Sequence, residues 1–417
     1  MKKILSLVLI ISSVIFSQPK IFINMDLNQT DHLKAYGIVY NALSDGATAD
    51  WLLNYKGGSF MLDYSDDLAL KCRVKGVSFQ KISFSEAVKI YEFVQREDQN
   101  MDVVRLETAP EIAVYVPPGF QPWDDAVTMV LEYAEVPYDK IWVEEILKGD
   151  LSKYDWLHLH HEDFTGQYGK FYASFRGAQW YVQQQLLYEN EAKKLGFQKV
   201  SKMELAVVKT IKEYIGKGGF LFAMCSATDS YDIALAAQNT DICDVMYDGD
   251  PPDPNAQSKL DFSQTLAFEN FKLEMNPLVY EYSNIDIQPN EIGKEENDYF
   301  TLFDFSAKYD PVPTMLIQDH VNVIHGFMGQ TTMFRKPLIK KSVYILAQRE
   351  GTDQVKYIHG NYGRGFFTFY GGHDPEDYRH AVGDPPTDLK LHKNSPGYRL
   401  ILNNILFPAA KKKKQKT

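Results

Sequence analysis

The sequence predicts an α/β protein with a mainly parallel sheet at its centre, and three observations lead there. From residue 111 onward, short apolar runs alternate with longer segments of helical apolar spacing, the pattern of βαβ units. Three of those runs end in clusters of chemically active side chains, as strands do when their carboxyl ends line a crevice. The chain has 417 residues, 45% of them hydrophobic, enough to cover a sheet on both faces.

Taken in order, Lys2 and Lys3 precede the apolar run "ILSLVLIISSVIF" and then "SQPK". A charged start, a short apolar stretch and a small residue before a polar break describe a signal peptide over 1–17, cut after Ser17. The run is too short for a comfortable transmembrane span. The expectation is an exported protein, periplasmic or extracellular, with no membrane insertion.

Residues 18–108 read as an N-terminal α/β unit. "KIFINMD", "ADWLLNY" and "VSFQKIS" have strand character, and Gly57-Gly58 marks a turn. "QTDHLKAYGIVYNAL" and "SFSEAVKIYEFVQRE" carry helical stripes, the second capped by Ser83 or Ser85. "NMDVVRLETAP" reads as a connection to the next unit.

The core is expected over 109–240 and 341–408. "EIAVYVPP", "YDKIWVEE", "YDWLHLHH" and "KGGFLFAMC" are its first strands, and "PWDDAVTMVLEYAEV" is a helix with proline at its start. A long helical region from Gly177 to Gly216 breaks near Gly196. "SVYILAQRE" and "VKYIHGNYGRGFFTFYGGHDPED" return to strands around a turn at Gly363-Arg364-Gly365, and "PGYRLILNNILF" closes as a helix. Residues 241–340 read as an inserted β or irregular segment, and 409–417 as a basic, disordered tail.

Charge excludes some functions. Lys plus Arg is 44 against 55 Asp plus Glu, a net of −11, which gives no electrostatic footprint for nucleic acid. The partner is left as an unknown small molecule, peptide or sugar, and the cofactor as unknown. The three cysteines, Cys72, Cys225 and Cys243, leave at least one thiol unpaired within the chain.

The candidate site gathers at strand ends: His160, His161, Glu162 and Asp163 after one, Cys225, Ser226 and Asp229 after the second, His373, Asp374, Glu376 and Asp377 after the third. "FLFAMCSATDS" has the mechanics of a nucleophile elbow, a strand turning sharply into a helix with small neighbours Ala223 and Ala227. The positive end of a helix favours thiolate over thiol, and His373 with Glu376 or Asp374 is the base and orienting carboxylate such a thiol needs. Equally, Cys225 is a small buried residue at a strand end. The "HxHHED" run suits a metal, although consecutive strand residues face opposite ways. "DGDPPDPN" offers Asp248, Asp250, Asp253 and Asn255 as oxygen ligands for calcium, or forms a rigid acidic loop.

"TIKEYIGKGGFLFAMCSATDS" and "YGRGFFTFYGGHDPE" resemble the class I glutamine amidotransferase-like fold, a flavodoxin-like parallel sheet, and its trehalose-utilisation (ThuA-like) branch. That resemblance implies Cys225 as nucleophile, His373 as base and Glu376 as orienting carboxylate, although two residues separate the last pair where amidotransferases have one. "DHLKAYGIVY", "WLLNYKGGSF", "YDWLHLHHEDFTGQYGKFYASFR" and "NSPGYRLILNNILFPA" resemble an exported bacterial family commonly labelled asparagine synthetase B. Asparagine synthetases use an N-terminal cysteine and an S-G-G-x-D-S loop; this chain has neither, so the label carries no activity with it.

Three functions follow as expectations. The first is a cysteine-dependent hydrolase or amidase with oxyanion donors at Ser226 and in loop 162–166. The second is a non-catalytic module binding a ligand or carbohydrate through exposed Tyr168, Phe171 and Trp180. The third is a metal-dependent hydrolase centred on His160, His161 and Asp163.

Overall fold

The computed structural model describes residues 18–119 and 121–410. The signal-peptide reading of 1–17 and most of the basic tail lie outside the described residues. The described chain is mixed α/β, with one antiparallel sheet and one sheet that is parallel on one side and antiparallel on the other.

The first sheet holds β1 (Lys20–Ile23), β2 (Ala49–Leu53), β3 (Ser59–Asp63), β4 (Gln80–Ile82) and β5 (Asp102–Leu106), in the order β4-β1-β3-β2-β5. Two of these correct the sequence reading: "SFMLD" forms β3, and the expected connection "DVVRL" is edge strand β5, paired antiparallel with β2. The associated helices are α1 (His32–Ser44), α2 (Asp66–Lys75) and α3 (Phe84–Val94). The Ser83 cap is a full capping box with Glu86.

The second sheet contains β6 (Ile112–Tyr115), β7 (Asp139–Ile141), β8 (Trp156–Leu159), β9 (Phe220–Met224), β10 (Tyr299–Leu302), β11 (Val323–His325), β12 (Phe334–Arg335), β13 (Tyr344–Gln348), β14 (Gln354–Tyr362) and β15 (Gly365–Tyr370). Its order is β11-β10-β13-β14-β15-β9-β8-β6-β7, with β12 paired to β14. Strands β7, β6, β8, β9 and β15 run parallel. The rest pair antiparallel, so residues 241–340 extend the sheet rather than stand apart from it. The hairpin falls where expected, with Tyr362 opposite Gly365 and Gly363 at φ 61°.

Helices α4 (Ala126–Ala134), α5 (Val143–Lys148), α6 (Tyr172–Phe175), α7 (Gln179–Lys194), α8 (Val200–Lys217) and α9 (Ser226–Ala236) cover the parallel strands. Strand residues alternate between two cores. Ile112, Val114, Trp156, Phe222 and Met224 face α1, α4 and the helix Pro396–Leu406. Ala113, Tyr115, Leu157, Leu159, Leu221 and Ala223 face α8 and α9. The proline expected at the start of α4 lies upstream; Asp125 caps that helix, accepting from the N–H groups of Val127 (2.8 Å) and Thr128 (3.0 Å). No described helix is long and apolar enough to cross a membrane.

Candidate functional site

Four parallel strands deliver the site from their carboxyl ends. The loop after β6 carries Trp123, Asp124 and Asp125. The turn after β8 carries His160 and His161, Cys225 follows the end of β9, and the loop after β15 carries His373 and His380. They surround a cavity of about 340 Å³ lined by Trp123, His161, Phe171, Cys225, Tyr280 and His373, with Arg379 and His380 among its other walls.

Cys225 stands on a strand-to-helix turn with φ 50° and ψ −138°, a conformation L-residues rarely hold. It is 2% exposed, and its Sγ accepts the N–H of Gln330 at 3.2 Å. The Ala227 N–H, at the start of α9, is taken by the His160 carbonyl (3.1 Å). Among the described residues all three cysteines are free and buried.

The histidines form a tighter group than the thiol and its expected base. Ligand atoms of His160, His161 and His373 all lie within 4.8 Å of one another. Tetrahedral zinc with nitrogen ligands needs neighbouring nitrogens roughly 3.4 Å apart, a small adjustment from this arrangement. The His160 Nε2 and His161 Nδ1 atoms are buried and have no hydrogen-bond partner, and the buried His373 Nε2 has only Asp124 Oδ1 near it, at 3.5 Å. Their orientation is supported from behind. His160 Nδ1 lies 3.2 Å from Asp125 Oδ1, which can only accept as a carboxylate, so the ring proton sits on Nδ1 and the Nε2 lone pair faces inward. Burial opposes ionisation of Asp125, yet His158 and His160 hold its carboxyl well below the usual carboxylate range. Burial, reinforced by His160 and His373, pushes His161 well below the ordinary histidine value, which keeps it neutral.

Several sequence-level assignments do not survive. Glu376 does not orient His373; it lies 2.8 Å from His392 Nδ1. Asp374 is fully buried and ties its own loop, accepting from Glu376 N–H (2.9 Å) and Thr387 Oγ1 (2.7 Å). The extra residue between His373 and Glu376 turns the glutamate away, and Asp124 Oδ1 stands near His373 Nε2 instead, at 3.5 Å. Asp163 is not a ligand of the histidine group, because it accepts from the N–H of Thr165 (2.7 Å) and of Gly169 (2.9 Å). Glu162 folds back onto the His160 N–H (2.7 Å), and burial drives its carboxyl up to about 8. Ser226 is fully buried, and Asp229 binds Thr331 Oγ1 at 2.8 Å. Tyr168 and Phe171 are buried rather than exposed, although Phe171 does line the cavity. In the acidic loop, Lys199 Nζ already sits where a cation would, 2.6 Å from Asp241, 3.0 Å from Asp248 and 2.5 Å from Asp250.

Sequence reading missed Trp123, Asp124, Asp125 and His380. The signal was present: "PWDDA" follows β6 at the same sheet edge, but its carboxylates were read as the first turn of a helix. Gln330 arrives from the inserted segment, where Gly329 allows a close pass; a Cβ there would come within 2.8 Å of the His373 backbone nitrogen.

No family model matches the chain, and no curated protein matches it in sequence. Among solved structures it is similar to two cytoplasmic proteins from Salmonella typhimurium, at 10% and 11% identity with TM-scores of 0.35 and 0.34. Each match covers 72% of this chain and 100% of the other. A beta-galactosidase from Bacillus circulans matches at 11% identity and a TM-score of 0.26, with 64% of this chain against 29% of the galactosidase. Likenesses of this strength carry no argument about function.

Proposed function

We propose that the protein is a metal-dependent hydrolase of a small molecule, its cation held by His160, His161 and His373. One observation carries the reading: three imidazoles bring buried nitrogens within 4.8 Å of one another at the carboxyl edge of a parallel sheet, two of them without a partner and the third with only Asp124 nearby, at 3.5 Å. Burying an imidazole nitrogen without a partner is costly, and a divalent cation satisfies all three at once. Such a cation supplies an activated water near neutral pH. Asp125 fixes the ring of His160, and Trp123, Phe171 and Tyr280 provide flat apolar walls for a ring-bearing substrate. Arg379, which pairs with no carboxylate among the described residues, favours a substrate with negative charge.

A second reading, thiol hydrolysis at Cys225, is favoured by the positive φ of its elbow. The parallel strand order β7-β6-β8-β9-β15 follows the flavodoxin-like 2-1-3-4-5 pattern and supports the amidotransferase-like resemblance. Export remains an inference from residues 1–17 and is checked by sequencing the mature N-terminus.

The deciding experiment measures metal content by mass spectrometry and follows hydrolysis of ester, amide and phosphoester probes. The metal reading expects bound zinc or a similar ion, activity lost on chelation and restored by the ion, and activity retained in Cys225→Ala. Metal-free protein with chelator-insensitive activity that disappears in Cys225→Ala would transfer the function to the thiol.

A further inference from the structure

One segment of the inserted region reaches several parts of the site at once. Residues 327–332, "FMGQTT", run beside the loop that carries His373. The His373 N–H donates to the Met328 carbonyl (2.9 Å), and the Gly372 N–H to the Thr331 carbonyl (2.8 Å). The Gln330 N–H reaches Cys225 Sγ at 3.2 Å, and its side-chain amide donates to the carbonyls of Gly169 (2.7 Å) and Tyr280 (3.1 Å). Met328, Gly329 and Gln330 line the cavity.

Both ends of this segment meet on one side chain. Lys356, in β14, is 1% exposed, a depth at which lysine is almost never found unless paired. Its Nζ donates to the carbonyls of Phe327 and Thr332, the latter at 3.1 Å, and lies 3.7 Å from the centre of the Phe327 ring. Gly372 leaves room for it, since a Cβ there would come within 2.6 Å of Nζ. Burial pulls the ammonium down to about 7, against the opposing pull of Asp298, Asp286 and Cys225. Charged or neutral, the amine keeps an N–H for each of the two carbonyls.

We infer that Lys356 is a positioning residue of the site: by clasping both ends of 327–332, it fixes the backbone that holds His373 and brings the Gln330 N–H to Cys225. The inference rests on reading this cavity as the catalytic site. It applies to a cation on the histidines and to a thiol at Cys225 alike, because the one segment is bonded to both. Groups that orient a metal ligand from behind typically change metal affinity by about 10–100-fold when they are removed.

The whole protein, unsubstituted and as Lys356→Met, is titrated with Zn²⁺, and its thiols are alkylated in the native state with each cysteine resolved by peptide mass spectrometry. Cys72 and Cys243 are buried like Cys225, so they report any general loosening. In folded Lys356→Met, zinc affinity should fall about tenfold or more. Cys225 should label about tenfold faster while Cys72 and Cys243 keep their rates, the mark of a local opening. Either quantity left unchanged overturns the inference. Equal acceleration of all three thiols also overturns it, since that is ordinary destabilisation. If the unsubstituted protein binds no zinc, the metal reading falls and the Cys225 rate alone decides the role of Lys356. Hydrogen exchange of the unsubstituted protein needs no variant to fold: the amides of Met328, Gln330 and Thr332 should exchange as slowly as those of β15. Exchange at the rate of an open loop overturns the clasp.

Discussion

At the residue scale, the buried carboxylates divide by what each one faces. Asp125 faces imidazoles and an open helix end, and stays ionised. Asp229, in the first turn of α9, accepts with one oxygen from the Thr331 hydroxyl (2.8 Å) and the neighbouring Ser230 N–H (3.0 Å), while its other oxygen has no partner. Burial therefore pushes its carboxyl up to about 7. The unfolded chain ionises this group near the ordinary aspartate value of 3.8, so between those values the native state binds a proton that the unfolded state does not. Its contribution to stability is fully present below about pH 4 and is lost as pH rises toward 7. Asp229→Asn keeps an acceptor for Thr331 and removes the titration. That variant should unfold with a flatter pH profile from 4 to 7. At pH 8 it should be more stable by a few kcal/mol, at about 1.4 kcal/mol for each tenfold difference in proton affinity between the folded and unfolded chain. Parallel pH profiles for the two proteins in urea unfolding would refute the assignment. The sequence singled out Asp229, but as a crevice ligand. Periodicity places a residue on a helix; it does not say whether the first turn of that helix opens on a cavity or on a packed segment arriving from a hundred residues away.

At the element scale, the parallel strands were legible and their neighbours less so. Strands β6, β8, β9 and β15 are continuous apolar runs bounded by turn residues, the signature of strands buried on both faces. Short or half-polar strands such as β3 and β5 lack that contrast, and their pairing comes from β2 between them. The inserted segment was least legible because it has few regular elements and is held by side chains. Asp232 of α9 is the clearest case. Its carboxylate accepts from three consecutive backbone N–H groups, Leu266 (2.7 Å), Ala267 (2.7 Å) and Phe268 (2.9 Å), all buried. Such a nest binds an anion, and here the anion is built into the fold. Removing it strands three donors, so Asp232→Ala should cost about 3 kcal/mol or more. Because this segment carries Gln330 to Cys225, the same variant should raise the alkylation rate of Cys225 in the native protein. Unchanged thiol labelling would mean that the segment is held on the site by something other than Asp232.

At the scale of the whole molecule, the boundary read near residue 108 does not divide the core. A single hydrophobic cluster runs from Ile21 through α1 and α4 to the helix Pro396–Leu406 and Ala409. Polar links cross the same seam. Leu33 N–H donates to the Lys393 carbonyl at 3.2 Å, and the Tyr36 hydroxyl bonds Asn403. Arg399, fully buried, donates to the Met25 carbonyl (2.8 Å), the Tyr36 hydroxyl (3.1 Å) and the Gly57 carbonyl, with Asp319 4.0 Å away. Composition could not reveal this, since a boundary is legible only where the chain is polar or low in complexity, and the stretch near 108 is merely short. The consequence is cooperative unfolding. Heating should give one transition, with calorimetric and van't Hoff enthalpies in agreement, because neither unit keeps a complete core without the other. Arg399→Met preserves the aliphatic stem but strands the Met25 and Gly57 carbonyls, while Asp319 keeps His320 at 2.9 Å. Each stranded acceptor typically costs about 1–3 kcal/mol, so the transition should move down markedly. The informative feature is the shape of the transition. If the two units share one core, Arg399→Met lowers a single peak; if the N-terminal sheet is a separate domain, two peaks appear and only one of them moves.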